Sequence, residues 1–179
     1  MTRITHFEPA PSDVDTSGRV AGAIPQRLLE KLSVFPARLW SATRGISSAT
    51  LQQTPAKGGF SLIEHACHLR DYEADGCLGR IQRILREPSP FLPDFEGEQL
   101  AIERNYRDQN FANAVDDFAR HRRQTLDLLQ ALTPEQAQRT ATLGTIGQVS
   151  IGRLAEIVGE HDRTHRHEIE SLLKELQKA

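Results

Sequence analysis

The sequence has few cysteines and no long apolar run. Cys67 and Cys77 are the only cysteines among 179 residues. In one predicted helix they would lie roughly 15 Å apart, too far for a disulfide. No stretch approaches the ~18 apolar residues of a membrane span, and the opening residues, MTRITHFEPA, lack the apolar segment of a secretory signal. We therefore expect reduced thiols, a cytoplasmic location and no membrane partner.

Other absences narrow the functional class. The net charge is −2 with 26% charged residues, which gives no reason to expect a nucleic acid partner. Glycine-rich phosphate loops and nucleophilic serine motifs are missing. Glu64 precedes His68 by four positions rather than three, so the Glu-x-x-His pairs of di-iron bundles are missing too. These absences argue against nucleotide, serine-hydrolase and ferritin-like oxidase chemistry.

The pattern of apolar residues predicts one helical domain. Residues 1–24 are rich in Pro, Ser, Thr, Asp and Gly, and we expect them to form an irregular N-terminal arm. Residues 25–179 suffice for one domain with its own core. No period-2 strand stands out, although residues 140–149 have a composition that permits an extended loop. The predicted fold class is therefore all-α, a four-helix bundle. Its long helices are expected at about 25–44, 61–86, 111–132 and 151–177.

Local signals place the ends of these helices. Pro36 is expected to kink or split the first helix, and residues 47–59 carry Pro and Gly breakers typical of a loop. Ser61 and Glu64 fit a capping box at the start of the second helix. Thr133-Pro134-Glu135-Gln136 predicts a further short helix, and Ser150 caps the last one.

The last helix carries the most informative motif. Its apolar stripe runs from Ile151 through Val158 to Ile169, and His161 and His165 occupy positions where that stripe requires core residues. Two imidazoles one turn apart on an inner face point at a common position in space, as ligands of zinc or a similar divalent metal do. The alternative is a pair of hydrogen-bonded core histidines.

A third ligand is expected from another helix. His65 and His68 form the only other histidine cluster within a predicted helix, and the helical wheel does not decide between them. His121 is a further inner candidate, whereas His6 lies in the arm and His167 falls off the stripe. Three neutral histidines would leave positions open for water or substrate, as in catalytic zinc sites. Metal occupancy should fall near pH ~6.5, where free histidine titrates.

Two segments resemble the DinB-like (YfiT-like) family of four-helix bundles. Residues 60–71, FSLIEHACHLRD, are similar to the family signature, in which an aromatic residue and Ser open the second helix and a ligand His follows. That histidine falls on His68. Residues 161–169, HDRTHRHEI, resemble the family's His-x-x-x-His ending, in which both histidines bind metal. Phe60 replaces the usual Trp, and residues 167–169 replace a common Gly-Gln-Ile.

The resemblance spans about residues 25–177 and implies a fold, a site and a chemistry. It implies a metal-binding bundle, often dimeric, with one zinc or nickel ion held by His68, His161 and His165. It also implies a small-molecule substrate, because characterised relatives are S-transferases and an isomerase that use a low-molecular-weight thiol. A homodimer is expected mainly from this likeness. Four apolar residues without an obvious place in the bundle agree with it: Phe7, Phe91, Leu92 and Phe95.

Three functions remain open on the sequence. The leading hypothesis is a metal-dependent enzyme, such as a thiol S-transferase or isomerase, acting on an electrophile. The alternatives are a non-catalytic metal or small-ligand binding module of a stress response, and a dimeric bundle with purely structural histidines. A shared fold does not fix the reaction.

Four further residues were considered for a role in the site. Arg122 lies on the inner stripe of the third helix, and we expect its stem to pack while its head reaches solvent, in preference to binding a substrate anion. Asp71 is either a partner of a ligand histidine or a surface acid, and Tyr72 either such a partner or a core residue. Cys67 is expected in the core.

Overall fold

The computed structural model describes residues 23–177, and it is mostly helical. The expected arm at 1–24 therefore lies almost entirely outside the described residues. The helices are α1 (Gln26–Thr43), α2 (Ser48–Leu51), α3 (Leu62–Asp71), α4 (Arg80–Arg86), α5 (Gly97–Glu103), α6 (Phe111–Gln130), α7 (Pro134–Ala137) and α8 (Ile151–Leu176). A π-helical segment, Tyr72–Gly79, joins α3 to α4, and a 3₁₀ turn covers Tyr106–Asp108.

Four long helical segments form the bundle, as predicted. They are α1, the continuous run from α3 through the π-helical segment to α4, α6 and α8. Helix α6 packs against α1 and α3, and α8 packs against α1, α3 and α4. The all-α four-helix bundle is thus confirmed, with a small sheet added.

That sheet was not predicted, because no period-2 strand stands out in the sequence. Strand β1 (Phe91–Leu92) pairs in parallel with β2 (Thr140–Leu143), which pairs antiparallel with β3 (Gly147–Ser150). Residues 140–149, whose composition permits an extended loop, lie within a hairpin. Strands of two and four residues are too short to produce a readable period-2 alternation, so the sequence pattern did not predict them.

The structure bears on two other local expectations. Pro36 is buried inside α1, and the helix continues past it, so the split does not occur. The loop predicted at 47–59 contains the short helix α2, because Ser47 caps it by accepting a hydrogen bond from the Thr50 backbone. The capping boxes at Ser61 and Thr133 form as predicted.

The core is divided into two apolar clusters with a charged layer between them. On α8, Ile151 to Val158 belong to one cluster, whereas Ile169 and Leu172 belong to the other. On α6, Phe118 and Leu129 fall in different clusters, and buried Arg122 lies between them. The His-x-x-x-His motif lies at the same level of α8. The apolar stripes of α6 and α8 are thus interrupted at the level where Arg122 and the two histidines of the motif lie.

Candidate metal centre

The start of α3 fixes the position of two histidines. Ser61 accepts a hydrogen bond from the Glu64 backbone, and the Glu64 carboxylate accepts one from the Ser61 backbone at 2.8 Å. Because this capping box sets the first turn of the helix, His65 and His68 follow on the next turns. Both are buried, with 4% and 7% of their surface exposed.

Helix α8 brings its two histidines to the same place. The Nε2 atoms of His68 and His161 lie 3.0 Å apart. The ring centroid of His165 is 4.6 Å from that of His68 and 4.3 Å from that of His161. Each of the three offers a nitrogen within 4.8 Å of the others. The chain thus assembles the three histidines named by the family resemblance.

His65 belongs to a neighbouring group. Its Nδ1 lies 3.3 Å from Nδ1 of His165, and His65, His165 and Glu168 also have ligand-type atoms within 4.8 Å of one another. His165 is therefore shared by both groups. The helical wheel could not separate His65 from His68, whereas the distances place only His68 beside Nε2 of His161.

A divalent cation fits the residues present. Two nitrogens bound to one zinc ion at ~2.0–2.1 Å, at angles between a right angle and a tetrahedral one, lie roughly 2.9–3.4 Å apart. The 3.0 Å between the two Nε2 atoms falls in this interval. Imidazole nitrogens also suit zinc, nickel and similar metals. The donor set and its spacing agree with a metal site.

Burial keeps these imidazoles neutral. Desolvation, with the nearby His165, lowers the pKa of His68 to about 3 and likewise lowers that of His65 to about 3. Burial also lowers the pKa of His161 well below its usual range, and that of His165, although Glu168 opposes the last shift. Neutral imidazole is the form that binds metal. Metal loss is therefore expected below pH ~6.5, a correction to the expectation from free histidine.

Aromatic side chains hold the site. The ring of Tyr72 stacks on His161, with centroids 3.7 Å apart and planes at 11°. Phe95 packs edge-on against both His68 and Tyr72. Tyr72 itself lies close to the backbone of Gly76, where an added Cβ would come within 2.9 Å of its ring. Tyr72 is thus a packing partner of a candidate ligand, and none of its contacts here is a hydrogen bond to an imidazole nitrogen.

The three histidines lie on the wall of a cavity of about 890 Å³. Apolar residues near the histidines include Phe60, Phe95 and Leu172, whereas charged residues such as Lys57, Glu98 and Glu175 also contribute to the lining. Ile102, which is 82% exposed, belongs to the lining as well. A cavity of this size accommodates a small organic ligand.

Asp71 and Cys67 have structural contacts. The buried Asp71 carboxylate accepts hydrogen bonds from Arg70 at 2.6 Å and from the Tyr106 hydroxyl at 2.7 Å, and it pairs with Arg104 at 2.8 Å. It therefore joins α3 to the segment after α5, and it is neither a surface acid nor a hydrogen-bond partner of a ligand histidine. Cys67 is fully buried, as expected, and burial raises its pKa to about 12.

Arg122 contradicts the sequence prediction. Its head does not reach solvent, since the residue is only 2% exposed. The guanidinium donates to Asp162 through two nitrogens, at 2.6 and 2.9 Å, and to Glu73 at 2.9 Å. Burial alone would lower the pKa of Arg122, but the attraction of Glu73 and Asp162 outweighs it and raises the value. With its donors committed to these carboxylates, Arg122 is not arranged to bind a substrate anion.

Sequence reasoning missed the two acidic partners of Arg122. Asp162 follows Val158 by four positions and precedes Ile169 by seven, so it lies on the same core stripe, and that was its signal. Glu73 gave no comparable signal, because it lies in the π-helical segment, where the usual helical spacing does not hold.

The other histidines lie outside the three-histidine group. His121 is partly buried, and its Nε2 is 3.2 Å from Arg120. His167 is exposed, although it contributes to the cavity wall. His6 lies outside the described residues.

Fold and site together define a helical bundle with a histidine cluster open to a cavity. The family model of the DinB superfamily matches residues 31–169, more than half of the chain. The chain therefore belongs to the DinB superfamily.

Comparison with solved structures supports the same fold. The chain is similar to YfiT from Bacillus subtilis, described as a probable metal-dependent hydrolase with an unusual four-helix bundle topology. The TM-score is 0.78 at 15% identity, over 97% of this chain and 95% of that one. No curated protein matches the chain. Among residues 23–177, no helix has the length and apolar character needed to cross a membrane.

Proposed function

We propose that this protein is a metal-dependent enzyme that acts on an electrophilic small molecule, with a low-molecular-weight thiol as cosubstrate. His68, His161 and His165 would hold one divalent ion, zinc or nickel. The single observation that carries the proposal is the convergence of these three histidines on the wall of a cavity large enough for a substrate.

The ligand set favours catalysis over a purely structural metal. Structural zinc sites are closed by four protein ligands, whereas catalytic sites have three and keep a position open. Among residues 23–177, the group that contains both His68 and His161 has three members, and the cavity gives a ligand access to them. A bound divalent ion would supply Lewis acidity, binding a thiolate or polarising an electrophile. Thiolate is a soft ligand that suits zinc and nickel.

The protein's own residues would bind and orient the substrate. The apolar side chains of Phe60, Phe95 and Leu172 offer a surface for an organic electrophile. Neither Cys67 nor Cys77 is a candidate nucleophile, because both are fully buried and burial raises the pKa of each thiol. A thiol that takes part in the reaction would therefore come from a cosubstrate. In the transfer, the thiol would give its proton to solvent water, its sulfur would bond to the electrophilic carbon, and the leaving group would depart with the electron pair of its bond.

Hydrolysis is a second candidate. The observation that favours it is the similarity to YfiT, whose description names a probable metal-dependent hydrolase. A three-histidine site with an open position also suits a metal-activated water. The two candidates differ in whether a thiol is consumed.

A panel experiment separates these functions. Untagged protein loaded with zinc or nickel is incubated with electrophiles and several low-molecular-weight thiols, and with esters and amides without thiol. S-conjugates detected by mass spectrometry would support the transferase, whereas thiol-independent cleavage would support the hydrolase. Absence of both, with metal bound, would favour a non-catalytic metal-binding module. His161→Ala is the negative control, and His121→Ala, at a position outside the cavity lining, is the matched positive one.

We also propose a homodimer and a cytoplasmic location. Leu92 is buried and Phe95 packs at the site, so these two apolar residues have places within one chain. Phe91, 61% exposed, and Trp40, 45% exposed, do not, and they offer surface to a second copy. Sedimentation showing only a ~20 kDa species at micromolar concentration would contradict the dimer. Both cysteines are free thiols, as a reducing compartment would keep them.

A further inference from the structure

Glu168 lies about one turn beyond His165 and two turns beyond His161 on α8, and its carboxylate reaches His165. Its Oε2 lies 2.8 Å from Nδ1 of His165. The corresponding nitrogens of His68 and His161 have no hydrogen-bond partner among residues 23–177, although both are buried. The three candidate ligands therefore differ: only His165 has an acceptor for its second ring nitrogen.

We propose that Glu168 is a positioning residue that fixes the tautomer of His165, so that Nδ1 carries the proton and Nε2 is free to bind the metal. An ionised carboxylate only accepts hydrogen bonds, and a ring lone pair facing its oxygen at 2.8 Å would be repelled. Neutral His165 therefore carries its proton on Nδ1, where both Glu168 and Nδ1 of His65 face it. In a neutral imidazole, protonation of Nδ1 leaves the lone pair on Nε2. This inference rests on the proposed role of His165 as a ligand.

His65 is the competing partner for the same nitrogen. Its Nδ1 lies 3.3 Å from Nδ1 of His165, farther than the Glu168 oxygen. Two ring nitrogens cannot both donate along one line, so His65 must present a lone pair to the His165 proton. Neutral His65 therefore carries its own proton on Nε2. The geometry assigns a tautomer to each of the two histidines.

The arrangement has a consequence for metal affinity. Partners that accept a hydrogen bond from a ligand imidazole orient the ring and raise its basicity, and their loss typically weakens metal binding by about 10–100-fold. Glu168 is 47% exposed and His165 only 12%. Because solvent competes for the exposed carboxylate, an effect of about 10-fold is expected from Glu168→Ala. Glu168→Gln keeps an acceptor oxygen and should weaken binding less.

Tautomers can be read directly in the metal-free protein. Long-range ¹H–¹⁵N NMR at neutral pH should show His165 protonated at Nδ1 and His65 protonated at Nε2. An Nε2–H form of His165 in the unsubstituted protein would overturn the proposal. This readout needs neither metal nor turnover, so it stands apart from the proposed enzymatic function.

Zinc affinity, measured by competition with a chromophoric chelator, provides the second readout. Glu170→Gln is the matched control, because it removes a glutamate of α8 whose side chain is 57% exposed and 3.9 Å from Arg166. Support requires weaker binding in Glu168→Ala than in Glu168→Gln, with Glu170→Gln unchanged. Equal affinity in all three variants would overturn the positioning role. Two zinc ions per chain would also overturn it, because Nδ1 of His165 would then be a ligand in the His65, His165, Glu168 group.

Discussion

The backbone of Gly97 lies directly against the imidazole of His68. A Cβ at Gly97 would come within 2.5 Å of Cε1 and 2.7 Å of Nδ1 of that ring. Gly97 is the first residue of α5, so this close approach brings α5 onto the candidate site. The same approach helps to bury Nδ1 of His68, which has no hydrogen-bond partner among residues 23–177.

Gly97→Ala should therefore weaken metal binding. The added methyl must displace either His68 or α5, and a displaced ligand ring loses its orientation toward His161. We expect an affinity loss of about 10-fold or more, comparable to loss of a partner of a ligand residue. Chelator competition measures it.

Gly152→Ala is the control for that substitution. Its Cβ would meet its nearest neighbours at 3.7 and 3.8 Å, an ordinary contact, in the first turn of α8. It should leave affinity unchanged. Equal affinities in the two variants would show that the approach of Gly97 does not constrain His68.

The buried histidines predict a loss of stability in mild acid. The unfolded chain takes up protons near pH ~6.5, whereas His65 and His68 have folded pKa values of about 3. Between these values the unfolded state binds more protons, so the free energy of unfolding falls as pH decreases. Urea unfolding of metal-free protein at pH 7, 6 and 5 should show this decline, and constant stability over that interval would contradict it.

A substitution identifies the source of the decline. His68→Gln removes one buried titrating group, so the slope should decrease by up to ~1.4 kcal/mol per pH unit. His167→Gln, which replaces an exposed histidine outside the buried group, is the matched control.

The buried ion pairs of Arg122 with Glu73 and Asp162 should contribute to stability. Arg122→Met leaves Glu73 and Asp162 buried without their cation, and breaking a buried pair in this way typically costs about 3–5 kcal/mol. Asp162→Asn should cost more than Glu73→Gln. The reason is that Asp162 uses both oxygens on Arg122, whereas Oε1 of Glu73 has no partner within residues 23–177. Urea unfolding of metal-free variants tests the order, and a larger loss for Glu73→Gln would contradict it.

The sequence predicted what depends on local spacing. Three features follow from residues close together in the chain. They are the capping box at Ser61, the four-residue spacing of His161 and His165, and the four long helices. The choice of His68 over His65 needed the family resemblance. Both histidines lie in one helix, and a helical wheel of that helix does not show where α8 lies.

Long-range partners could not be predicted in the same way. Arg122 lies 49 positions from Glu73 and 40 from Asp162. Its charge suggested a solvent-exposed head, and only the packing of three helices supplies two carboxylates at that level. The approach of Gly97 to His68 and the acceptor that Glu168 offers His165 likewise depend on distances that no periodicity encodes.

The three-histidine site is tested most directly by elemental analysis of five untagged histidine variants at neutral pH. We expect three variants to lose most of the bound metal: His68→Ala, His161→Ala and His165→Ala. We expect His65→Ala and His167→Ala to keep it. Helical circular dichroism should persist in all five, since α8 retains buried Leu154, Val158 and Leu172. If His65→Ala lost the metal and His68→Ala kept it, the third ligand would be His65 and not His68. Metal kept in all five would contradict the three-histidine site.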